Sequence, residues 1–369
     1  MHILFAGGGT AGHINPALAE AAYVKLKEPD AVISYIGTAK KLEATLVPKA
    51  GYNFYTIDVA GFQRRLTVKN IARNVVAVSK AITSSIKAKR LLKELKPDIV
   101  VGTGGYVSGP VLREAVKLGI KTAIHEQNAF PGVTTKMLAP KVDAVMLAMP
   151  EAEKYLKCKN KPVVTGNPVR LDFLSLDKEK SKAALHLDNR PVVLSFGGSL
   201  GAAPINNAVA DMIAKLYKKQ DIVFVHATGK NGYEQTKAML SEKGVDISSD
   251  NVRILPYIDD MADHMAAADI VIGRAGAITL TEIEAAGRAS ILIPSPYVAE
   301  NHQYHNAMTL KNRNAAEVIE QKDLSGDTLS AAVEKMLSSP EITKQMGKNA
   351  AANAITDANA RIYDCIKSL

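Results

Sequence analysis

Short apolar runs recur along the whole chain, and the stretches between them carry apolar residues at helical spacing. That alternation predicts parallel βα units, because strands covered on both faces read as near-continuous apolar runs. In the first half, His2–Ala6, Val32–Gly37, Phe54–Val59, Asp98–Gly102, Thr122–His125 and Ala144–Ala148 are expected strands, with a short addition at Val163–Thr165. In the second half the runs are Val192–Phe196, Ile222–Ala227, Val252–Leu255, Asp269–Ile272, Ile291–Pro294 and Ala316–Ile319. Each half opens with a strand feeding a glycine loop: Gly7-Gly8-Gly9-Thr10-Ala11-Gly12-His13 first, Gly197-Gly198-Ser199-Leu200-Gly201 second. The pattern predicts an α/β chain of two doubly wound domains, residues 1–166 and 167–352, divided near Gly166-Asn167-Pro168. Ligands of such sheets sit beyond the carboxyl ends of the strands, so two domains facing each other would form a cleft. The tail after Pro340 reads as helical, and residues 353–369 are a candidate to pack back on the first domain.

Composition narrows the class. The chain has 369 residues, enough for two sizeable cores, with 47% hydrophobic and 22% charged residues, as in ordinary globular proteins. Trp is absent, which argues against a reader of single-stranded nucleic acid by aromatic stacking. Cys158 and Cys365 lie far apart and form neither a metal spacing nor a disulfide framework, which fits a reducing cytoplasm. No run of about 18 apolar residues is present, so no membrane-spanning helix is expected. The first residues are too short for a signal peptide and read as a strand. Charge is concentrated: from Gly61 to Lys96 stand Arg64, Arg65, Lys69, Arg73, Lys80, Lys87, Lys89, Arg90, Lys93 and Lys96 against Glu94 alone, an excess equal to the whole net charge of +9. Such a patch points to an anionic partner.

Candidate chemistry sits in the loops. Asp269–Gly287 reads as a strand, a turn at Gly273-Arg274-Ala275-Gly276 and a helix from about Ile278. A helix start presents unpaired N–H groups and suits a phosphate. Glu282, one turn inside, is too deep to cap and would oppose a phosphate unless it had another task, such as binding sugar hydroxyls. Thr279 and Thr281 add hydroxyls beside it. The competing reading, of equal weight on this stretch alone, is an ordinary α/β unit with a solvated Glu. Gly7 to Gly12 matches the dinucleotide fingerprint, but the second strand ends Tyr35-Ile36-Gly37-Thr38 with no ribose-binding acid, and the nearest, Glu43, lies in the next helix. A nicotinamide or flavin enzyme is therefore disfavoured. His13, at a helix N-terminus, is suited to stay neutral and accept a proton, although a lone His there more often caps or packs. Gly102–Pro110 and His125-Glu126-Gln127-Asn128 end two more strands of the same sheet, so His13, Tyr106, Glu126 and Asn128 should gather at one edge.

These loops carry a resemblance. GGGTAGH, LVPKAG, GTGGYVSGP, HEQN, GNPVR, FGGSLGA, PYIDDM and GRAGAITLTE, in this order across residues 3 to 320, resemble the MurG family of N-acetylglucosaminyltransferases. That family has the GT-B fold, two Rossmann-like domains around a cleft, and converts lipid I to lipid II in peptidoglycan synthesis. Two departures are Ala11, where many members have glycine, and the variable loop Tyr297-Val298-Ala299-Glu300-Asn301-His302.

The resemblance implies roles. UDP-N-acetylglucosamine would lie mainly on the second domain. Backbone groups at Ile258 would pair with uracil, and Glu282 would hold the ribose. Ser199 and the helix start at Ala277, Ile278 and Thr279, continuing through Leu280 and Thr281, would face the diphosphate. Gln303, beside His302, would read the sugar, with Arg170 and Asn128 reaching in. Thr10, Ala11 and Gly12 are placed among the donor contacts, and the same loop, with Gly9, Gly104, Gly105 and Tyr106, would take the acceptor pyrophosphate. The C4 hydroxyl of the muramyl sugar would attack the anomeric carbon with inversion, which needs a base and a stabilised leaving group. His13 is the expected base and Glu126 the runner-up. No Asp-x-Asp pair is placed to hold a metal, so no cofactor is expected. The partners implied are UDP-GlcNAc, undecaprenyl-pyrophosphoryl-MurNAc-pentapeptide and an anionic membrane surface, not nucleic acid. Peripheral attachment to the cytoplasmic face of the cell membrane would follow from a helix over Ile71–Leu92. Its apolar stripe, Ile71, Val75, Val78, Ile82 and Ile86, is rimmed by Lys69, Arg73, Lys80, Lys87, Lys89 and Arg90; the plain alternative makes that stripe core and the charges a solvated face. Other readings are a glycosyltransferase acting on another membrane lipid such as diacylglycerol, and a non-catalytic nucleotide-sugar binding protein.

Overall fold

A computed structural model describes residues 1–59, 83–198 and 200–369. The chain divides into two compact units, Met1–Pro168 with Asp357–Leu369, and Val169–Thr356.

The first unit is built on seven parallel strands: β1 (His2–Gly7), β2 (Val32–Gly37), β3 (Asn53–Thr56), β4 (Ile99–Gly104), β5 (Lys121–Glu126), β6 (Ala144–Leu147) and β7 (Val163–Val164), in the order β3-β2-β1-β4-β5-β6-β7. Its helices are α1 (Ala11–Lys27), α2 (Glu43–Lys49), α3 (residues 83–95), α4 (Gly105–Lys117) and α5 (Val133–Leu138). The strands sort their side chains by parity. Ile3 and Phe5 turn to one face, where Ala17, Ala21 and Val24 of α1 cover them. Leu4 and Ala6 turn to the other, under Val107, Val111 and Leu112 of α4 and Ala88 and Leu92 of α3. Each fully buried Leu, Ile, Val or Phe contributes about 1.5–3 kcal/mol.

The second unit repeats the plan with six parallel strands: β8 (Val192–Phe196), β9 (Val223–Ala227), β10 (Val252–Leu255), β11 (Ile270–Gly273), β12 (Ala289–Leu292) and β13 (Ala316–Val318), in the order β10-β9-β8-β11-β12-β13. Around it lie α6 (Lys178–Ala184), α7 (Ala203–Leu216), α8 (Tyr233–Glu242), α9 (Met261–Ala267), α10 (Ala277–Ala286), α11 (His302–Asn312), α12 (Gly326–Leu337) and α13 (Pro340–Ala351). Ile205, Val209, Met212 and Ile213 of α7 pack with Leu329, Val333 and Met336 of α12 over Val193, Phe224, Ile270 and Ile272.

The last helix, α14 (Ala358–Lys367), belongs to the first unit. Ile362 and Ile366 enter the core beside α1, and Tyr363 Oη and Lys367 Nζ both donate to Glu28 Oε1, at 2.7 and 2.6 Å.

Most strand ends fall within two residues of the sequence expectation. The third strand is shorter, stopping at Thr56 rather than Val59. β12 begins at Ala289 and ends at Leu292, displaced from the expected Ile291–Pro294. Ala289 and Ser290 are fully covered but too small to read as an apolar run, and Pro294 lacks the N–H a ladder needs. Among the described residues no helix is long and apolar enough to cross a membrane.

In each unit the winding reverses beside the first strand, between β1 and β4 and between β8 and β11. Loops at those carboxyl ends are where a doubly wound sheet holds its ligand.

Candidate active site

At the first switch point β1 and β4 are out of simple register. Ala6 pairs with Gly102 and Gly7 with Gly104, so Thr103 is the extra residue of a bulge. The bulge aims Thr103 Oγ1 at the carbonyl oxygen of His13, 2.7 Å away, and ties the start of α1 to β4. Ser108 holds the following loop: its Oγ accepts from Gly104 N at 3.0 Å and lies 2.5 Å from Ala6 O and 2.8 Å from Gly104 O. Two glycines are required here. Gly104 has φ +104°, and a Cβ on it would stand 2.6 Å from His13 Nδ1; Gly105 has φ +76°, and a Cβ would meet Gly8 O at 2.2 Å. The imidazole therefore lies against bare backbone.

His13, Gly104, Gly105 and Tyr106, which is 63% exposed, share this edge with the end of β5. His13 Nδ1 is 3.3 Å from Gln127 Oε1. Gln127 Nε2 in turn is 2.9 Å from His125 O and 3.1 Å from His125 Nδ1, and His125 Nε2 is 2.9 Å from Gly166 O. Burial pushes the His125 pKa down.

Glu126 is tied differently. Its Oε1 accepts from the backbone N and the side-chain Nδ2 of Asn128, both at 3.1 Å; its Oε2 accepts from Gly132 N at 3.0 Å and Thr135 Oγ1 at 2.6 Å. Four donors on a 4% exposed carboxylate make it a clamp on the loop from Asn128 to Gly132. The expectation of Glu126 as an alternative base meets a group whose oxygens already have partners. Asn128, expected at the donor, has its side chain turned to Glu126.

The glycine loop is braced from the start of α2. Gly9 N donates to Glu43 Oε2 at 3.1 Å, and Thr38 N and Oγ1 donate to Glu43 Oε1 at 3.0 and 2.7 Å. Gly9, expected among the acceptor contacts, has its N–H held by a carboxylate. Burial pushes Glu43 up, but the hydrogen bonds from Thr38 and Gly9 outweigh it and hold the pKa below its ordinary value. Thr10, the N-cap of α1, makes no side-chain capping bond. His13 N donates to Thr10 O at 3.1 Å, so the amides of Ala11 and Gly12 are the part of this loop open to an anion.

In the second unit, α10 starts at Ala277 behind Gly276, whose position offers no side-chain cap. Its first amides at Ala277, Ile278 and Thr279 are unpaired by the helix and carry the positive end of the dipole. Thr281, expected beside the donor, has its Oγ1 donating to Ala277 O at 3.0 Å. Leu280 is fully buried, so its side chain belongs to the core. Glu282 keeps its carboxyl 15% exposed, with Oε1 3.9 Å from Arg170 Nε. Burial pushes its pKa up to about 7, against the pull of Arg170 and with the push of Asp172. Arg170 also lies 3.4 Å from Asp172 and over the Phe173 ring. Gln303 Oε1 accepts from Ser295 N at 2.8 Å, and His302 Nδ1 is 2.8 Å from Ala299 O. Ile258 is buried in the middle of the loop between β10 and α9.

Ser199, and Ile71, Arg73, Val75, Val78, Lys80 and Ile82 of the basic segment, lie outside the described residues. At the described end of that segment, Ala88 and Leu92 enter the core, while Ile86 is 65% exposed beside exposed Lys87, Lys89 and Arg90. Among the described residues no group of three or more His, Cys, Asp or Glu is arranged to hold a metal ion.

Three contributors were not singled out from sequence. Gln127 and Glu43 work through partners more than thirty residues away in the chain. Arg274, inside the glycine turn, braces it through Ile293 O at 3.1 Å and Gln321 Oε1 at 2.7 Å. The only signal for Arg274 was a large cation among small residues.

Comparison with known proteins accords with this arrangement. Residues 3–147 match the glycosyltransferase family 28 N-terminal domain and residues 192–362 its C-terminal domain. A UDP-N-acetylglucosamine–N-acetylmuramyl-(pentapeptide) pyrophosphoryl-undecaprenol N-acetylglucosamine transferase of Acetivibrio thermocellus is 46% identical, covering 100% of this chain and 98% of the relative. Its namesake in Ruminiclostridium cellulolyticum is 44% identical over 100% of both chains. The crystal structure of Acinetobacter baumannii MurG matches with a TM-score of 0.80 at 29% identity, covering 100% and 99% of the two chains. A UDP-GlcNAc 2-epimerase from Neisseria meningitidis, 14% identical with a TM-score of 0.66 and full coverage of both chains, shares the fold alone. The chain is a glycosyltransferase of family 28 with two Rossmann-like domains of the GT-B type, and it belongs to the MurG family.

Proposed function

We propose that this enzyme transfers N-acetylglucosamine from UDP-GlcNAc to the C4 hydroxyl of the N-acetylmuramyl residue of lipid I, with inversion, forming lipid II for peptidoglycan synthesis. The observation that carries the reading is end-to-end similarity: 46% identity to a curated transferase extends over 100% of the chain, so both the acceptor-side and donor-side units are shared.

The donor belongs to the second unit. Glu282 accepts the ribose hydroxyls, which gives a carboxylate inside a phosphate-facing helix a task. The diphosphate lies against the uncapped start of α10 at Ala277–Thr279 and Ser199, the uracil against backbone at Ile258, and the sugar near Gln303 and Arg170. The acceptor belongs to the first unit, with its pyrophosphate at Ala11-Gly12 and the muramyl sugar by Gly104, Gly105 and Tyr106. His13 takes the proton of the C4 hydroxyl as the oxygen bonds to the anomeric carbon. The bond to the UDP oxygen breaks on the opposite face, and UDP leaves with the electron pair. Helix N–H groups stabilise that charge, and in this reading no cofactor is required. The enzyme works at the cytoplasmic face of the cell membrane as a peripheral protein, with the exposed Ile86 and the cations around it on an anionic bilayer.

UDP release with UDP-GlcNAc and a lipid I analogue tests this. Release is expected only when both are present. Release that ignores the acceptor, or an equal rate with a diacylglycerol acceptor, would overturn it.

A further inference from the structure

We propose that Gln127 and His125 form a tautomer lock on His13, a hydrogen-bond relay that keeps the ring proton on Nδ1 and leaves the lone pair on Nε2 to accept the hydroxyl proton. The second half of the statement rests on the reading of His13 as the base; the first half does not.

The heavy-atom positions leave one consistent assignment. The relay starts at the carbonyl of Gly166, which can only accept, so His125 Nε2, 2.9 Å away, carries a hydrogen. The His125 ring is 3% exposed and stays neutral, so its Nδ1 holds a lone pair. Gln127 presents one end to two acceptors, that Nδ1 at 3.1 Å and the carbonyl of His125 at 2.9 Å. That end is therefore the NH₂ group. The other end is the amide oxygen, 3.3 Å from His13 Nδ1. An amide oxygen only accepts, so His13 Nδ1 carries the proton. A neutral imidazole has one N–H, and Nε2 is left with its lone pair. Among the described residues Nε2 makes no hydrogen bond. An unrestrained neutral imidazole favours the opposite tautomer, so the relay inverts the default.

The lock is rigid. Gln127 is 2% exposed, and its own carbonyl accepts from Asn167 Nδ2 at 3.3 Å. The His13 ring rests against Gly104, where no Cβ would fit. When Nε2 takes a proton, the bond from Nδ1 to Gln127 persists and nothing has to turn. A carboxylate at position 127 could set the same tautomer, as Asp does in hydrolytic triads. It would also put a second negative charge beside a loop that binds a pyrophosphate. A neutral amide orients the base without that repulsion. Gln127 is thus a positioning residue, and His125 positions Gln127.

Long-range ¹H–¹⁵N NMR on histidine-labelled protein, with His13 assigned through His13→Asn, reads the tautomer without substrate. Protonated Nδ1 and bare Nε2 are expected. In Gln127→Leu the signal should move to the Nε2–H form or a mixture. kcat should fall roughly tenfold or more, by analogy with wrong-tautomer variants, with donor Kd unchanged. Gln127→Glu, which retains an acceptor for Nδ1–H, should keep the tautomer and more of the kcat. An Nε2–H tautomer in the unaltered enzyme overturns the lock whether or not any variant folds. So does an unchanged tautomer in Gln127→Leu. A tautomer that shifts in Gln127→Leu while kcat stays intact would leave the lock standing and remove His13 as the base.

Discussion

Arg170 Nε stands 3.9 Å from Glu282 Oε1, close enough to favour the carboxylate but too far to hold it. Burial prevails and pushes the Glu282 carboxyl up to about 7. Ribose hydroxyls bind the ionised form best, and the diphosphate diester of the donor has no titration in this range. Donor Kd should therefore rise as pH falls below about 7, by up to tenfold per pH unit, and level off above it. Glu282→Gln should weaken donor binding roughly 10–100-fold, the worth of a charged hydrogen-bond pair, and flatten the pH dependence. Calorimetry from pH 5.5 to about 8.5 reads both. A flat profile in the unaltered enzyme would take Glu282 out of the donor site.

His13 and Glu126 should separate cleanly by mutation. His13→Asn is expected to cut kcat by roughly 10²–10⁴ with donor affinity and melting temperature nearly unchanged. Glu126→Gln removes an acceptor from the four-donor clamp on Asn128–Gly132. It should lower stability by about 1–3 kcal/mol along with activity. A mild His13→Asn beside a Glu126→Gln that loses kcat at full stability would reverse the two roles.

Glu20 in α1 is 2% exposed, and among the described residues neither carboxyl oxygen has a hydrogen-bond partner. Burial pushes its pKa from 4.5 to about 9. Between those values the native state holds a proton that the unfolded chain has released. The contribution to stability is fully present below pH 4.5 and is lost as pH rises towards 9. Glu20→Leu should remove this slope and stabilise the protein, by about 1–3 kcal/mol at mildly alkaline pH and less at pH 5. Parallel pH–stability curves for variant and parent would mean that Glu20 finds water or a partner.

Membrane attachment should follow the exposed end of α3. Each cation near an anionic surface adds about 1 kcal/mol. Ile86→Ser combined with Lys87→Glu and Arg90→Glu should release the enzyme from anionic liposomes, and salt should do the same to the parent. The variant should still glycosylate a short water-soluble acceptor at the parent's rate. Unaltered cosedimentation would return α3 to an ordinary solvated helix.

The strands of both sheets were legible in sequence because burial on both faces leaves runs such as Ile270–Gly273 without polar interruption. The glycine loops were legible because Gly104 and Gly105 adopt conformations that other residues resist. Long-range polar bonds were not legible. Gln127 becomes a link only when β5 sets it beside α1, and Glu43 reaches Gly9 only after α2 folds back. Glu20, too, is enclosed only by the packing of α1. On the basic helix the Ile86 stripe looked like a continuous face, yet Ala88 and Leu92 are the residues that enter the core.

The sharpest test is the structure of the product. With UDP-GlcNAc and a lipid I analogue, NMR of the purified product should show one new N-acetylglucosamine, joined by a β bond to the C4 oxygen of the muramyl sugar. One UDP should form per bond, and with His13→Asn the same bond should form more slowly by roughly 10²–10⁴. An α linkage, attachment at another hydroxyl, or sugar released to water would contradict the account.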